Sequence, residues 1–85
     1  MTTTTTSAAT FDAEYTDTFG GQANYSWVRR ARFSLPYNSS TRKIMRRAKS
    51  ELGLTNMRGT TIRYGDIIEF RPYRCCTVLF ISVTY

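Results

Sequence analysis

The chain lacks histidine, and it has few cysteines, few acidic residues and no long apolar run. Its 85 residues contain no His, 2 Cys and 6 Asp+Glu against 12 Lys+Arg. Without histidine there is no imidazole general base, no Ser–His or Cys–His nucleophile and no His metal ligand. Two cysteines cannot complete a four-ligand zinc site or build a disulfide framework. We therefore expect a non-enzymatic protein without a cofactor or a bound metal.

The sequence also lacks the segments that direct secretion or membrane insertion. The longest purely apolar run is Val78–Ile81, far shorter than the roughly 20 residues that cross a bilayer. The N-terminal residues have neither the basic region nor the apolar stretch of a signal peptide. We expect a cytoplasmic protein that is not secreted and has no membrane partner.

The net charge of +6 divides into two unlike parts along the chain. Residues 1–24 contain three acids and no base, whereas residues 25–85 contain all 12 basic side chains and only three acids. Residues 1–18 are also rich in threonine and poor in apolar groups, so burial cannot offset their ordering cost. The composition predicts a disordered, Thr-rich acidic tail at 1–18, or one that is ordered only where Phe11, Tyr15 and Phe19 find a surface, and a single small domain at 19–85.

One helix is predicted between residues 40 and 53. Ser39 and Ser40 are typical N-caps, and Gly53 is a typical left-handed helix end. The apolar residues between them share one side of the helix, namely Ile44, Met45, Ala48 and Leu52. The opposite side is basic.

Strands are predicted before and after this helix. Apolar residues alternate over 25–35, with an irregularity at Val28 and Arg29 that indicates a bulge. Residues 60–64 and 67–71 flank a Gly65-Asp66 turn; a two-residue loop would place Ile62 opposite Glu69, and a wider loop is the alternative. Residues 75–85 are apolar on both faces, which is typical of a central strand.

The order of these elements predicts an α+β domain of two layers, β-α-β-β-β. Its antiparallel sheet has about four strands, and the helix packs on one face. The second face then needs a cover, for which the candidates are the N-terminal aromatic residues, a homodimer or another partner. Cys75 and Cys76 are expected on a strand as buried small hydrophobic residues, or one of them as an interface thiol.

The candidate binding surface is basic and is interspersed with aromatic residues. Like charges four residues apart on the helix, and cations in its first turn, destabilise it slightly, and an anionic partner would account for them. Adjoining residues of the first strand extend the surface. The predicted binding residues are Arg42, Lys43, Arg46, Arg47 and Lys49 of the helix with Tyr25, Trp27, Arg29, Arg30 and Arg32 of the strand.

Such a surface fits either of two partners. Arginines contact phosphates while aromatic rings stack on unpaired bases, so RNA or DNA is one candidate. Five duplex phosphate contacts would give a slope of about −4.5 for log K against log salt. The other candidate partner is an acidic protein surface, because the charge of the basic surface does not distinguish a protein from a nucleic acid.

Two stretches carry a resemblance to known proteins. Residues 19–30 (FGGQANYSWVRR) and 64–72 (YGDIIEFRP) resemble segments of small proteins encoded by phages and plasmids. The small size and the low-complexity N-terminal segment are also similar to anti-CRISPR and other host-takeover proteins, many of which are acidic DNA mimics. The basic body departs from that pattern. The resemblance implies a viral protein acting in the cytoplasm of an infected host cell, and it transfers no functional residues.

Three functions follow as hypotheses. The first is an inhibitor that binds and blocks a host defence complex, a protein or ribonucleoprotein, through the basic surface. The second is a small module that binds RNA or DNA directly. The third is a virion or assembly component.

Overall fold

The computed structural model describes residues 8–84. They form an antiparallel five-stranded sheet of order β2-β1-β5-β4-β3 with one helix packed on it. In chain order the elements are β1 (Ala8–Phe19), β2 (Gln22–Pro36), α1 (Thr41–Leu52), β3 (Gly59–Tyr64), β4 (Ile67–Pro72) and β5 (Thr77–Thr84). The α+β class with one helix is therefore confirmed, and the order is ββαβββ rather than the predicted β-α-β-β-β.

Strand β1 is the additional strand, and it corrects the prediction of a disordered tail at 1–18. Residues 8–18 lie in a strand that pairs with β2 on one side and β5 on the other. Small and aromatic residues alternate along it, and Phe11 and Tyr15 are buried in the core. Burial on one face and hydrogen bonds on both sides together offset the ordering cost. The predicted boundary at 18/19 is consequently wrong, and residues 1–7 lie outside the described residues.

Strand β5 is central, as predicted, because β1 and β4 flank it. Its helix-side residues Leu79 and Ile81 are buried, and so is Val78 on the opposite face, whereas Ser82 on that face is exposed. The strand begins at Thr77, and both cysteines precede it in an exposed connection. The expectation that Cys75 and Cys76 are buried strand residues is wrong.

Helix α1 has the predicted ends and the predicted apolar side. Ser40 is the N-cap and its hydroxyl accepts a hydrogen bond from the Lys43 N–H at 3.2 Å. Gly53 ends the helix with φ 75°, a conformation that glycine adopts without a steric penalty. Its four buried residues pack on β1, β2, β4 and β5.

The β1–β2 and β3–β4 hairpin turns each contain two residues. Gly20 and Gly21 connect β1 to β2 with φ values of 61° and 83°. At the Gly65-Asp66 turn, Ile62 lies opposite Glu69 and Arg63 opposite Ile68, which is the register of the shorter loop. Strand β3 therefore alternates cleanly, with Thr61 and Arg63 on the helix side of the sheet.

The sheet face away from the helix, here called the open face, is divided into two halves. Over β1 and β2 it carries the Arg30–Glu14 and Arg32–Asp12 ion pairs. Over β3 to β5 it carries exposed apolar side chains beside the Arg71–Glu69 ion pair; of these apolar residues, Tyr64 is 57% exposed and Ile67 45%. Of the N-terminal aromatic residues, Phe11 and Tyr15 lie in the core and Phe19 is exposed, so they do not cover this face, and the first of the three predicted covers is wrong. A homodimer through it stays a prediction. In residues 8–84, no helix is both long and apolar enough to cross a membrane.

Candidate anion-binding site

The structure divides the predicted basic surface between two sides of the sheet. Ala31 and Phe33 of β2 pack into the core beneath α1. Because side chains alternate along a strand, Arg30 and Arg32 lie on the open face, away from the helix. The expectation that they form one surface with the helix cations is therefore wrong.

Arg30 and Arg32 are also neutralised by acids of β1. Arg30 Nε lies 3.0 Å from Glu14 Oε2, and Arg32 Nε lies 2.6 Å from Asp12 Oδ1. Each pair joins residues directly opposite in the β1–β2 register. The ion pair raises the pKa of Arg32. The acids of the supposed tail thus neutralise two of the predicted binding residues.

Arg29 points to the helix side of β2, opposite Tyr15. Its Nη2 lies 3.9 Å from the position that a Cβ on Gly53 would occupy. This guanidinium therefore reaches the C-terminal end of α1, where the helix dipole favours a cation.

Tyr25 and Trp27 lie in an irregular segment of β2 rather than beside the helix cations. Four residues of β2 bulge out between the Thr16–Val28 and Thr18–Ala23 pairs, so the irregularity falls before the predicted Val28–Arg29 position. Tyr25 has φ 57° and is 50% exposed; Trp27 packs edge-on against Tyr15 with ring centroids 5.4 Å apart.

Asp17 holds this bulge in place. Its carboxylate accepts hydrogen bonds from the Ser26 hydroxyl, the Asn24 amide and the Ser26 backbone N–H. These hydrogen bonds hold the pKa of Asp17 well below its usual range, the Ser26 hydroxyl being the largest cause. The Thr16 hydroxyl donates to the Trp27 carbonyl at 2.7 Å and closes the bulge from the other side.

Two of the five helix cations have partners within the chain. Arg47 Nε lies 2.8 Å from Glu51 Oε2, and its guanidinium lies 5.5 Å from the Phe33 ring centroid. Lys49 Nζ donates to the Met57 carbonyl at 2.9 Å and lies 4.2 Å from the Phe70 ring centroid. Burial lowers the pKa of Lys49. Lys49 is thus on the inner side of the helix surface.

The other three helix cations, Arg42, Lys43 and Arg46, are exposed. None of the ion pairs found within residues 8–84 includes them. We name this set the free helix cations. Like charges four residues apart repel each other, and an external anion would supply the ion-pair partner that these cations lack within residues 8–84.

A groove of about 470 Å³ runs between α1 and β3 beside these cations. Strand β3 lies at the edge of the sheet, two strands away from β5, so α1 does not cover its helix-side face. The groove has no acidic lining; its lining residues are Thr41, Arg42, Met45, Arg46, Lys49, Thr55 and Thr61. Guanidinium groups beside hydroxyls are the side chains that contact phosphate oxygens.

Arg63 of β3 bounds this groove near the helix N terminus. Its Nη1 donates to the Thr41 hydroxyl at 2.8 Å, and its Nε donates to the Gly65 carbonyl at 3.1 Å. Sequence reasoning missed Arg63 and Thr61 as site residues. The register of a two-residue turn already indicates that both residues lie on one face of β3. It does not indicate that this face lies beside α1, because that depends on the strand order set by β1 and β5.

The arrangement places guanidinium, ammonium and hydroxyl groups side by side along one groove. No protein-family model matches the chain, and no curated protein or solved structure matches it. The proposals below therefore depend on the geometry of the basic surface.

Proposed function

We propose that this chain is a non-enzymatic protein that binds RNA or DNA through the phosphate backbone, with the free helix cations as the principal contacts. The observation that supports this most is that Arg42, Lys43 and Arg46 form no ion pair in the described part of the chain, whereas four other arginines do. Exposed hydroxyls along the adjoining groove add neutral donors for phosphate oxygens.

Salt dependence of binding tests this function directly. Three phosphate contacts on a single strand give a slope of about −2 for log K against log salt, and three on a duplex give about −2.7. These values replace the slope of about −4.5 expected for five free cations, because Arg47 is paired with Glu51 and the partly buried Lys49 lies on the inner side of the helix surface, out of reach of a strand that contacts only the outer side. Fluorescence anisotropy with a labelled single strand and a labelled duplex, from 50 to 300 mM salt, measures it (roughly the range in which such contacts weaken).

The control is an acidic polypeptide, poly-glutamate, of matched length and charge. Nucleic acid should bind more tightly than poly-glutamate at equal salt, because guanidinium groups and hydroxyls together fit phosphate better than isolated carboxylates. Equal affinity for both polymers would reduce the interaction to charge alone and would reject the nucleic-acid proposal.

A second function, blocking a host defence complex, is favoured by the apolar half of the open face. Ile62, Tyr64 and Ile67 are each more than 40% exposed there, on the side of the sheet opposite the free helix cations. Two unlike surfaces on opposite sides suit a complex that presents both protein and nucleic acid. Affinity purification from host lysate with and without nuclease treatment tests it: a defence complex retained after nuclease treatment supports blocking, and loss of every partner supports direct nucleic-acid binding.

A further inference from the structure

Lys49 lies at the inner side of the groove between α1 and β3 and has no carboxylate beside it. Its ammonium group makes one hydrogen bond, to the Met57 carbonyl, and contacts the Phe70 ring. An ammonium group has three donors, so this geometry leaves donor capacity toward the groove. A partly buried cation without a counter-ion is unfavourable on its own, and an anion in the groove would compensate it.

Two free helix cations lie on the same side of the helix as Lys49. Arg42, Arg46 and Lys49 follow the i, i+4, i+7 spacing, so their side chains form one stripe along the groove. The opposite wall contributes the Thr61 hydroxyl from β3. The groove, with a volume of about 470 Å³, is thus lined by three positively charged side chains and by no acidic side chain of the described residues.

Side chains cross the groove at both ends. Arg63 reaches from β3 to Thr41 at the start of the helix, and Lys49 reaches from the helix to the Met57 carbonyl in the following connection. A continuous phosphodiester backbone would have to enter and leave over the same open side. The end of a strand, by contrast, can enter with its terminal phosphate alone.

We propose that this groove binds the terminal phosphomonoester of a nucleic-acid strand, with Lys49, Arg46 and the Thr61 hydroxyl as the groups that contact it. A phosphomonoester carries a charge of about −1.5 to −2 near neutral pH, whereas each internal phosphodiester carries −1. The three cations of the groove, Arg42, Arg46 and Lys49, are therefore used more completely by a terminal phosphomonoester than by a single phosphodiester, which carries only −1. The inference rests on the proposed function, and it adds a preference for strand ends.

The experiment compares one short oligonucleotide in three forms: with a 5′-phosphate, with a 3′-phosphate, and with hydroxyls at both ends. At 0.1 M salt and neutral pH, one phosphorylated form should bind about tenfold more tightly than the hydroxyl form, the size expected of one or two charge-assisted hydrogen bonds. Inorganic phosphate is the second probe, and it should shift the backbone amide resonances of Thr61 and Lys49 in an NMR titration.

Two variants remove the proposed contacts without touching Arg42 or Lys43. Thr61→Val replaces the hydroxyl by a methyl group of the same shape, and Lys49→Met retains an apolar stem over Phe70. Each should lower the preference for the phosphorylated end at least about threefold. Thr60→Val is the matched control, because Thr60 lies on the open face of the same strand and should retain the full preference. Thermal unfolding of each variant verifies that it folds.

The outcomes separate this inference from the proposed function. Equal binding of all three oligonucleotides, with a salt slope of about −2, would overturn the phosphate site and leave the proposed function standing. An end preference that survives in Thr61→Val and Lys49→Met would also overturn the site. Shifts with inorganic phosphate but no binding of any oligonucleotide would support an anion site and reject nucleic acid as the partner. Neither shifts nor binding would reject both.

Discussion

The open face of the sheet and the outer side of helix α1 both carry arginines, yet their charges differ in availability. On the sheet, Arg30 and Arg32 lie opposite Glu14 and Asp12 and form ion pairs with them. On the helix, none of the ion pairs found within residues 8–84 includes the free helix cations. The difference separates basic residues whose charge the fold pairs with an acid from those that form no ion pair, and we expect only the second group to bind an external anion.

Strand β1 is the origin of this difference. It lies between β2 and β5 and carries Asp12 and Glu14 to the open face, next to Arg30 and Arg32 of β2. These two acids cannot reach the helix cations, because α1 covers the other face of the strand. Two of the three N-terminal acids are thus paired on the sheet, while the free helix cations form no ion pair within residues 8–84.

The largest expected effect is on the free energy of unfolding and follows from removing the buried Phe11 ring of β1. Phe11 is 1% exposed and stacks on Phe33 with ring centroids 5.5 Å apart. Phe11→Ala should lower the free energy of unfolding by about 3–5 kcal/mol, since it deletes a buried aromatic ring. Urea unfolding measures it.

The control for this substitution is Phe19→Ala, at an aromatic position that is 80% exposed. It should change the free energy of unfolding by less than about 0.5 kcal/mol. If Phe11→Ala were equally mild, residues 8–18 would not be part of the folded sheet, and the pairing of charges described above would fail with them.

Removing the acids of β1 should convert the open face into a second binding surface. In the double variant Asp12→Asn, Glu14→Gln, Arg30 and Arg32 lose their partners, so affinity for single-stranded nucleic acid should rise several-fold. The salt slope should steepen by about 1.4, which is the increment for two further phosphate contacts. Anisotropy titration at several salt concentrations measures both quantities.

Stability should change little in this double variant, because each exposed ion pair contributes at most about 1 kcal/mol. Unchanged affinity and slope would mean that the β2 arginines do not contact nucleic acid even when unpaired. The sheet and the helix would then differ in binding because of the positions of their arginines and not because of the ion pairs.

A smaller effect is expected from the helix cap. Ser40→Ala removes the acceptor for the Lys43 N–H, and a lost N-cap costs about 1 kcal/mol. The free helix cations lie in the first turns that this cap orders, so nucleic-acid binding should weaken in parallel. Ser50→Ala, at an exposed helix position, is the control and should leave both the melting temperature and binding nearly unchanged.

The smallest effect concerns pH and the bulge of β2. Because the folded pKa of Asp17 is lowered, its contribution to stability is complete above the unfolded pKa of about 3.9 and is lost as the pH falls below it toward the folded pKa. The Ser26 amide resonance should therefore stay in place from pH 7 to about pH 4 and move only under more acidic conditions. Movement near pH 5 would show that the carboxylate does not hold the bulge.

Local signals predicted much of the fold. The cap, the Gly53 end and the buried side of α1 depend on neighbouring residues, so periodicity located them. Strand β1 was missed because Ala9 and Ala13 contribute little hydrophobicity to the alternation that they share with Phe11 and Tyr15. The cysteines were misplaced because Cys75 and Cys76 extend the apolar run of β5 in sequence while the strand itself starts at Thr77.

The placement of the predicted basic residues was predicted only in part, for a related reason. Helical periodicity identified which residues face away from the core, but ion pairs such as Arg30–Glu14 form between segments whose pairing the sequence does not display. Lys49 lies on the inner side of the groove because of Met57 and Phe70, which belong to other elements. Long-range pairing therefore decided which charges remain free.

Two triple variants with equal loss of charge test the central claim most directly. Arg42→Gln, Lys43→Gln, Arg46→Gln removes the free helix cations, and Arg30→Gln, Arg32→Gln, Arg71→Gln removes three arginines that have acidic partners. In anisotropy titrations with the same single strand, the helix triple should lose at least about tenfold in affinity and most of its salt slope, while the sheet triple should stay within about threefold of the parent protein. Equal losses in the two variants would contradict the account, because binding would then follow net charge rather than the position of the unpaired cations.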